Sequence, residues 1–154
     1  SFKFIYSNEH VAINDRDIGF YDIKEDLPLK TAEILTCPQP EGNLQHVIKS
    51  MPEPNTAAMA IRFSVTAQKK PSWVVELMVE VLSGEISVGV VNSKNAYVST
   101  RRRIYPCKEP QIIHLLINEA DGQTDMQYQC VCENINANWL PSEFRLLSLR
   151  AYNL

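Results

Sequence analysis

Apolar and polar residues alternate along most of this chain with a period of two, the period of a β-strand that buries one face. The longest such stretch, 73–91, begins with one apolar face made of Trp73, Val75, Leu77, Val79 and Val81. Ser83 and Gly84 then supply a tight turn, and the alternation resumes with Ile86, Val88 and Val90. This pattern predicts a β-hairpin that pairs Val81 with Ile86, Val79 with Val88, and Leu77 with Val90.

Other segments alternate in the same way and predict further strands, namely Thr56–Ala67, Tyr97–Ile104, Gln111–Ile117, Met126–Glu133 and Phe144–Tyr152. Ser1–Tyr6 is a further candidate for an opening strand. No segment of about ten residues has a helical period, and turn residues recur roughly every 8–12 residues. The predicted fold is therefore all-β, a two-sheet antiparallel, jelly-roll-like β-sandwich of about seven or eight strands.

The length of 154 residues predicts a single domain, 1–154, with a core sandwich over 56–152. Residues 1–54 are predicted to be irregular, because prolines interrupt them at 28, 38, 40, 52 and 54. Within that part, Leu44–Met51 is open to a short strand or a helical turn. The acidic residues Asp15 and Asp17 suggest calcium, but their spacing does not match an EF-hand, and a solvated loop is favoured.

Composition restricts the class of partner. The net charge of −3 argues against a nucleic-acid binder, whose affinity comes largely from neutralised phosphates. The chain has neither an apolar run of the roughly 18 residues needed to span a bilayer nor a signal-peptide pattern, so we expect no membrane insertion. Four irregularly spaced cysteines favour free thiols in a reducing compartment, and a cytoplasmic location is expected.

No residue set predicts catalysis, a cofactor or a metal site. Glu76 and Glu80 share a strand face, but four residues along a strand span roughly 13 Å. Glycosidase carboxyl groups lie about 5–9.5 Å apart, so this pair is too widely separated. The histidines have no metal-ligand spacing, and His114 is interpreted as a hydrogen-bonded residue at the edge of the core.

Arg101 and Arg103 are the first candidates for ligand binding. They lie two residues apart in a predicted strand, so they share a face and could bind a carboxylate or phosphate, as on an acidic sugar. The same run would also protect an edge strand from aggregation through its charge, and both interpretations stay open.

Trp139, Asn136 and Asn138 combine an indole with amides on one predicted loop. Aromatic rings stack on the apolar faces of sugars, and amides bond to the hydroxyl groups. A turn-rich loop whose tryptophan anchors the core would have the same composition. Tyr97, beside the turn at 92–95, is a second candidate platform, with a core or sheet-edge role as its alternative.

Three segments carry a family resemblance: SGEISVGVVNSKNAYVSTRRRI at 83–104, MQYQCVCEN at 126–134 and FRLLSLRAY at 144–152. Together they resemble the carbohydrate-binding-module-like β-sandwich domains appended to bacterial methyltransferases and glycosyltransferases of surface-polysaccharide synthesis. Polysaccharide exporters carry a similar sandwich on their ATP-binding subunits. The resemblance covers about residues 56–152 and implies a non-catalytic, cytoplasmic domain that binds a bacterial cell-surface polysaccharide or its precursor.

An alternative of a different class is a protein-interaction or dimerisation sandwich without a glycan ligand. It predicts a homodimer and an exposed apolar patch centred on residues such as Met78 or Leu82.

Overall fold

The computed structural model describes residues 16–21, 32–38, 44–65, 69–119 and 126–154. Within these ranges it contains ten strands and no helix. In chain order the strands are β1 Asp17–Tyr21, β2 Ala32–Pro38, β3 Leu44–Ser50, β4 Thr56–Ser64, β5 Ser72–Ser83, β6 Ile86–Asn92, β7 Arg102–Ile104, β8 Gln111–Asn118, β9 Gln127–Asn134 and β10 Glu143–Asn153.

The strands form two antiparallel sheets. A six-stranded sheet has the order β2-β3-β10-β5-β8, and β1 pairs with the C-terminal part of β10. A four-stranded sheet has the order β4-β9-β6-β7. The predicted fold class, an all-β two-sheet sandwich, is confirmed.

Alternation places the core between the sheets. The apolar face of β5 and the inward residues of β6 and β9 belong to one buried cluster, which contains Leu77, Val88, Cys130 and Cys132. Phe144 and Leu149 of β10 are also fully buried in it. Each such side chain contributes about 1.5–3 kcal/mol of transfer free energy, so apolar burial between the sheets stabilises the sandwich.

The predicted hairpin of β5 with β6 is wrong. β5 pairs with β8 and β10 in the six-stranded sheet, whereas β6 pairs with β7 and β9 in the four-stranded sheet. The turn at Ser83 and Gly84 therefore crosses from one sheet to the other. Gly84 has a φ of 80°, and a Cβ atom there would collide with Ser142, so this crossing requires glycine.

The apolar faces of β5 and β6 still meet, but through the interior of the sandwich. Val81 and Ile86 belong to the same core cluster although no ladder joins their strands. Alternation determines which face of a strand is buried and leaves its hydrogen-bonded neighbour undetermined. β5 is also buried on its second face, at Val74 and Met78, which is typical of a central strand.

The segment predicted to be irregular, 1–54, contributes β1, β2 and β3 to the six-stranded sheet. β3 corresponds to the strand alternative for Leu44–Met51. The prolines at 38, 52 and 54 lie at the end of β2 and after β3, so they terminate strands without interrupting a ladder. The candidate strand Ser1–Tyr6 and the candidate calcium ligand Asp15 lie outside the described residues. Asp17, expected in a solvated loop, is the first residue of β1.

The predicted strand Tyr97–Ile104 is shorter than expected. Only Arg102–Ile104 forms a strand, and Tyr97 and Ser99 make single bridges to Val91 and Ile117. Ser99 Oγ also accepts a hydrogen bond from Val90 N at 2.9 Å. The segment therefore runs between the edges of both sheets and closes one side of the sandwich.

A buried ion pair lies beside Trp73, in the core next to the β4–β5 connection. Lys69 Nζ is 3.0 Å from Glu119 Oε2, and the two side chains are only 5% and 4% exposed. Trp73 Nε1 and Tyr128 Oη donate to the two Glu119 oxygens at 2.9 and 2.7 Å. All the charge here is compensated, as a buried charge requires.

Candidate functional site

The outer face of the four-stranded sheet is largely polar. Its outward residues, which we call the polar sheet face, are Ala60, Arg62, Ser64, Ser87, Gly89, Val91, Gln127, Gln129, Val131 and Glu133. Their inward neighbours on the same strands fill the core, so strand alternation alone positions this face.

Tyr97 lies on the polar sheet face above Gly89. A Cβ atom at position 89 would be 2.7 Å from the Tyr97 ring, so the small residue leaves room for the ring. The phenol donates to Glu133 Oε1 at 2.9 Å, and the Arg101 guanidinium lies 4.2 Å from the ring centroid. Burial, and then the bond to Glu133, raises the pKa of Tyr97 from 10.0 to about 12.

Arg101 and Arg103 each have a carboxylate partner on this side of the sandwich. Arg101 Nη1 is 3.9 Å from Glu133 Oε2, and Arg103 Nε is 2.7 Å from Glu85 Oε1. The two arginines therefore do not form a cluster of uncompensated positive charge. β7 is the edge strand of its sheet, which agrees with the alternative interpretation of the arginine run as a protected edge.

Trp139 does not anchor the core. It is 62% exposed, and its indole N–H has no partner among the described residues. Its φ of 56° lies in the left-handed region, which is unusual for a bulky residue and costs about 1–3 kcal/mol. An exposed indole in a strained backbone conformation is typical of functional positions.

Asn136 and Asn138 precede Trp139 in the same loop. Asn138 N donates to Asn136 Oδ1 at 3.2 Å, and Asn136 N donates to Asn134 Oδ1 at 3.2 Å. No described residue bonds to the side-chain amide of Asn138 or to the Asn136 Nδ2 group. These amide groups are available to a ligand beside the indole.

Asn134 organises this end of the sandwich, a structural role that the sequence analysis did not assign to it. Its fully buried Nδ2 group lies 3.0 and 3.2 Å from the carbonyl oxygens of Met51 and Leu140. Its Oδ1 accepts from Ser142 Oγ at 2.6 Å. The sequence feature that could have identified this role is a polar residue at an inward-facing position of β9, two residues after the inward-facing Cys132.

The structure separates the six predicted site residues into two neighbouring groups. Tyr97, Arg101 and Arg103 lie at the polar sheet face, whereas Asn136, Asn138 and Trp139 lie on the loop that follows β9. Glu85 links the groups, because it pairs with Arg103 and its carbonyl accepts a hydrogen bond from Ile135 N at 3.0 Å.

A shallow depression lies at the end of the polar sheet face where β9 begins, away from the Trp139 loop that follows β9. Its volume is about 70 Å³, and it is lined by Arg62, Asn92, Ser93, Gln127, Tyr128 and Gln129. Pockets that bind a whole small-molecule ligand usually have volumes of about 300–1,000 Å³, so this depression would enclose only part of a ligand, such as one substituent.

The two glutamates and the histidine that were considered as catalytic candidates, Glu76, Glu80 and His114, each contact a side chain of a neighbouring strand. Glu76 contacts His114 at 3.1 Å and Arg150 at 3.7 Å, and Glu80 accepts from Arg145 Nε at 2.7 Å. His114 is exposed, contrary to its predicted place at the core edge.

No group of three histidine, cysteine, aspartate or glutamate side chains among the described residues could hold a metal ion. In that part of the chain no helix has the length and apolar character needed to cross a membrane.

Neither a family model nor a curated protein matches the chain. Among solved structures, it is similar to a carbohydrate-binding module of lichenase 5A from Cellvibrio mixtus in complex with cellotriose. The identity is 11%, the match covers 90% of this chain and 98% of that chain, and the TM-score is 0.57. A xylan-binding domain from Paenibacillus barcinonensis matches with 8% identity, coverage of 92% and 97%, and a TM-score of 0.53. These likenesses show a shared fold, the β-sandwich of carbohydrate-binding modules.

Proposed function

We propose that this chain is a non-catalytic carbohydrate-binding domain. The observation that carries the proposal is the exposed indole of Trp139, presented in a left-handed backbone conformation on the same loop as Asn136 and Asn138. The Asn138 side-chain amide and the Asn136 Nδ2 group have no hydrogen-bond partner in the part of the chain that the structure describes, whereas Asn136 Oδ1 accepts from Asn138 N. An indole face provides apolar contact for a sugar ring, and the amides provide donors and acceptors for its hydroxyl groups.

The ligand extends from this loop along the polar sheet face. There Tyr97 is held by Glu133, and Arg101 and Arg103 are balanced by carboxylates. Such paired groups offer both donors and acceptors to sugar hydroxyls without a net charge. One face of the Tyr97 ring is occupied by Arg101, so Trp139 is the main stacking surface.

The proposed ligand is a bacterial cell-surface polysaccharide or its precursor, bound in the cytoplasm. The chain would then serve as an accessory domain of a methyltransferase, glycosyltransferase or polysaccharide exporter. The motif resemblance around Gly84–Asn92 and Gln129–Asn134 supports this narrower proposal. The likeness in fold to carbohydrate-binding modules supports the broader class.

Tryptophan fluorescence tests the proposal during titration with a panel of bacterial polysaccharides. Trp73 is fully buried, so a ligand-dependent change reports on Trp139. Trp139→Ala should abolish both the fluorescence change and retention in affinity electrophoresis. Leu116→Ala, at an exposed apolar position of β8 in the other sheet, is the matched control and should bind like wild type. No binding across the panel would refute the proposed function.

A dimerisation domain is the second candidate. Leu82 and Met51 are each 43% exposed, and Leu140 is also exposed at the same end of the sandwich. Met78, predicted as a centre of the patch, is buried and cannot contribute. Sedimentation at increasing concentration distinguishes the candidates, because a self-associating sandwich dimerises without glycan and Leu82→Ser would weaken the dimer.

A further inference from the structure

Arg62 differs from the other arginines near the polar sheet face. It projects outward from β4, is exposed and has no hydrogen-bond or ion-pair partner among the described residues. Its cross-strand neighbour is the uncharged Gln129, whereas Arg101 and Arg103 each contact a carboxylate. Among the residues that the structure describes, no carboxylate therefore compensates the positive charge of Arg62 on this face.

The residues beside Arg62 present donors. Asn92 Oδ1 accepts hydrogen bonds from the backbone N–H groups of Lys94 and Ala96, each at 3.0 Å. Two N–H donors require an oxygen at that position, so the Asn92 Nδ2 group is the one left for a ligand. Gln127 Oε1 likewise accepts from Ser64 Oγ at 3.1 Å, which leaves its Nε2 group available.

The size and the chemistry of the depression both favour the binding of one negatively charged group. No carboxylate of the described residues lines it, and its volume of about 70 Å³ is well below the roughly 300–1,000 Å³ of a pocket that holds a whole small ligand. This space suits a single charged substituent. A guanidinium can bind an oxyanion through two parallel hydrogen bonds, and adjacent amide N–H groups can complete its shell.

We propose that this depression is an oxyanion subsite, which binds a carboxylate, sulfate or phosphate substituent of a glycan. The inference rests on the proposed carbohydrate-binding function and deepens it by assigning an acidic polysaccharide as the ligand. It also assigns recognition of the acidic group to Arg62 and not to Arg101 and Arg103, whose charges are balanced.

The subsite can be tested without a polysaccharide, by observing side-chain amide signals in ¹H–¹⁵N spectra. Sodium glucuronate should shift the signals of Asn92 and Gln127, and glucose at the same concentration should not. Arg62→Gln should weaken the glucuronate response at least tenfold. Arg102→Gln is the charge-matched control, because Arg102 is directed toward His114 of the other sheet, and it should respond like wild type. An unresponsive wild type, or an undiminished response in Arg62→Gln, would overturn the subsite.

Two further binding experiments identify the chemical class of the ligand. N-acetylglucosamine 6-sulfate and glucose 6-phosphate, compared with glucuronate, show which oxyanion binds most tightly. A uronic-acid polysaccharide should bind at least tenfold more tightly than its carboxyl-reduced form, and Arg62→Gln should remove this preference. Equal binding of both forms contradicts the subsite. If neither form of the polysaccharide binds, the carbohydrate-binding function is contradicted. In that case the glucuronate titration by itself shows whether the oxyanion subsite exists.

Discussion

Replacing Asn134 with alanine tests whether one buried amide holds the Trp139 loop in place. The Nδ2 group of Asn134 lies 3.0–3.3 Å from four carbonyl oxygens, those of Met51, Pro52, Glu53 and Leu140. Its Oδ1 accepts from Asn136 N and Ser142 Oγ. These contacts tie the loop after β3 to the loop after β9.

The magnitude follows from the number of bonds that alanine cannot make. An amide NH₂ has two hydrogens, so Asn134 provides two donor bonds at a time, shared among the four carbonyls, and two acceptor bonds. Each is worth about 1 kcal/mol net. Water can reach some carbonyls near the exposed Met51, so we expect a loss of about 3 kcal/mol. In a domain of this size that lowers Tm by about 6–12 °C.

Urea denaturation and thermal unfolding measure this loss of stability. Iodide quenching of fluorescence measures the solvent accessibility of the Trp139 indole. The matched control is Asn118→Ala, which removes an exposed asparagine whose side chain, within the described ranges, bonds only to Ser72; it should cost less than about 0.5 kcal/mol. Asn134→Ala should also weaken glycan binding at temperatures where it remains folded. A variant within about 0.5 kcal/mol of wild type would refute the proposed role of Asn134.

Three other perturbations follow from the structure. Trp139→Asn should remove glycan binding without lowering the unfolding free energy, because asparagine tolerates the left-handed backbone better than tryptophan does; destabilisation in urea would contradict this. The pKa of Tyr97 is raised from 10.0 to about 12. The stability that its protonated hydroxyl contributes to the fold is therefore fully present below pH 10 and is lost as the pH rises toward 12. The stability difference between wild type and Tyr97→Phe should therefore shrink over that interval, and a pH-independent difference would argue against the raised pKa. Lys69→Met leaves the buried Glu119 without its cation and should cost about 3–5 kcal/mol in urea denaturation, with partial recovery in Lys69→Met/Glu119→Gln; a cost below about 1 kcal/mol would show that the charge is solvated.

Part of the candidate site was visible in the sequence because its chemistry is local. Trp139, Asn136 and Asn138 lie within four residues of one another, so composition alone could nominate them. Glu133 and Arg62 were not nominated, because their importance depends on neighbours far away in the chain. Tyr97 meets Glu133 across 36 residues, and Asn134 meets Met51 across 83.

Alternation of apolar residues along the chain determined by itself that this protein is a β-sandwich and which strand faces are buried. Side chains on a strand point to opposite sides in turn, so burial is recorded in the local pattern, as in β4 at Met59, Ile61 and Phe63. Tertiary structure alone decided which strands are neighbours. Backbone hydrogen bonding is the same for every sequence, so β5 and β6 lie in different sheets for reasons that no local pattern contains. The same long-range pairing decided which arginines have a carboxylate partner, and it left Arg62 beside the depression without one in the part of the chain that the structure describes.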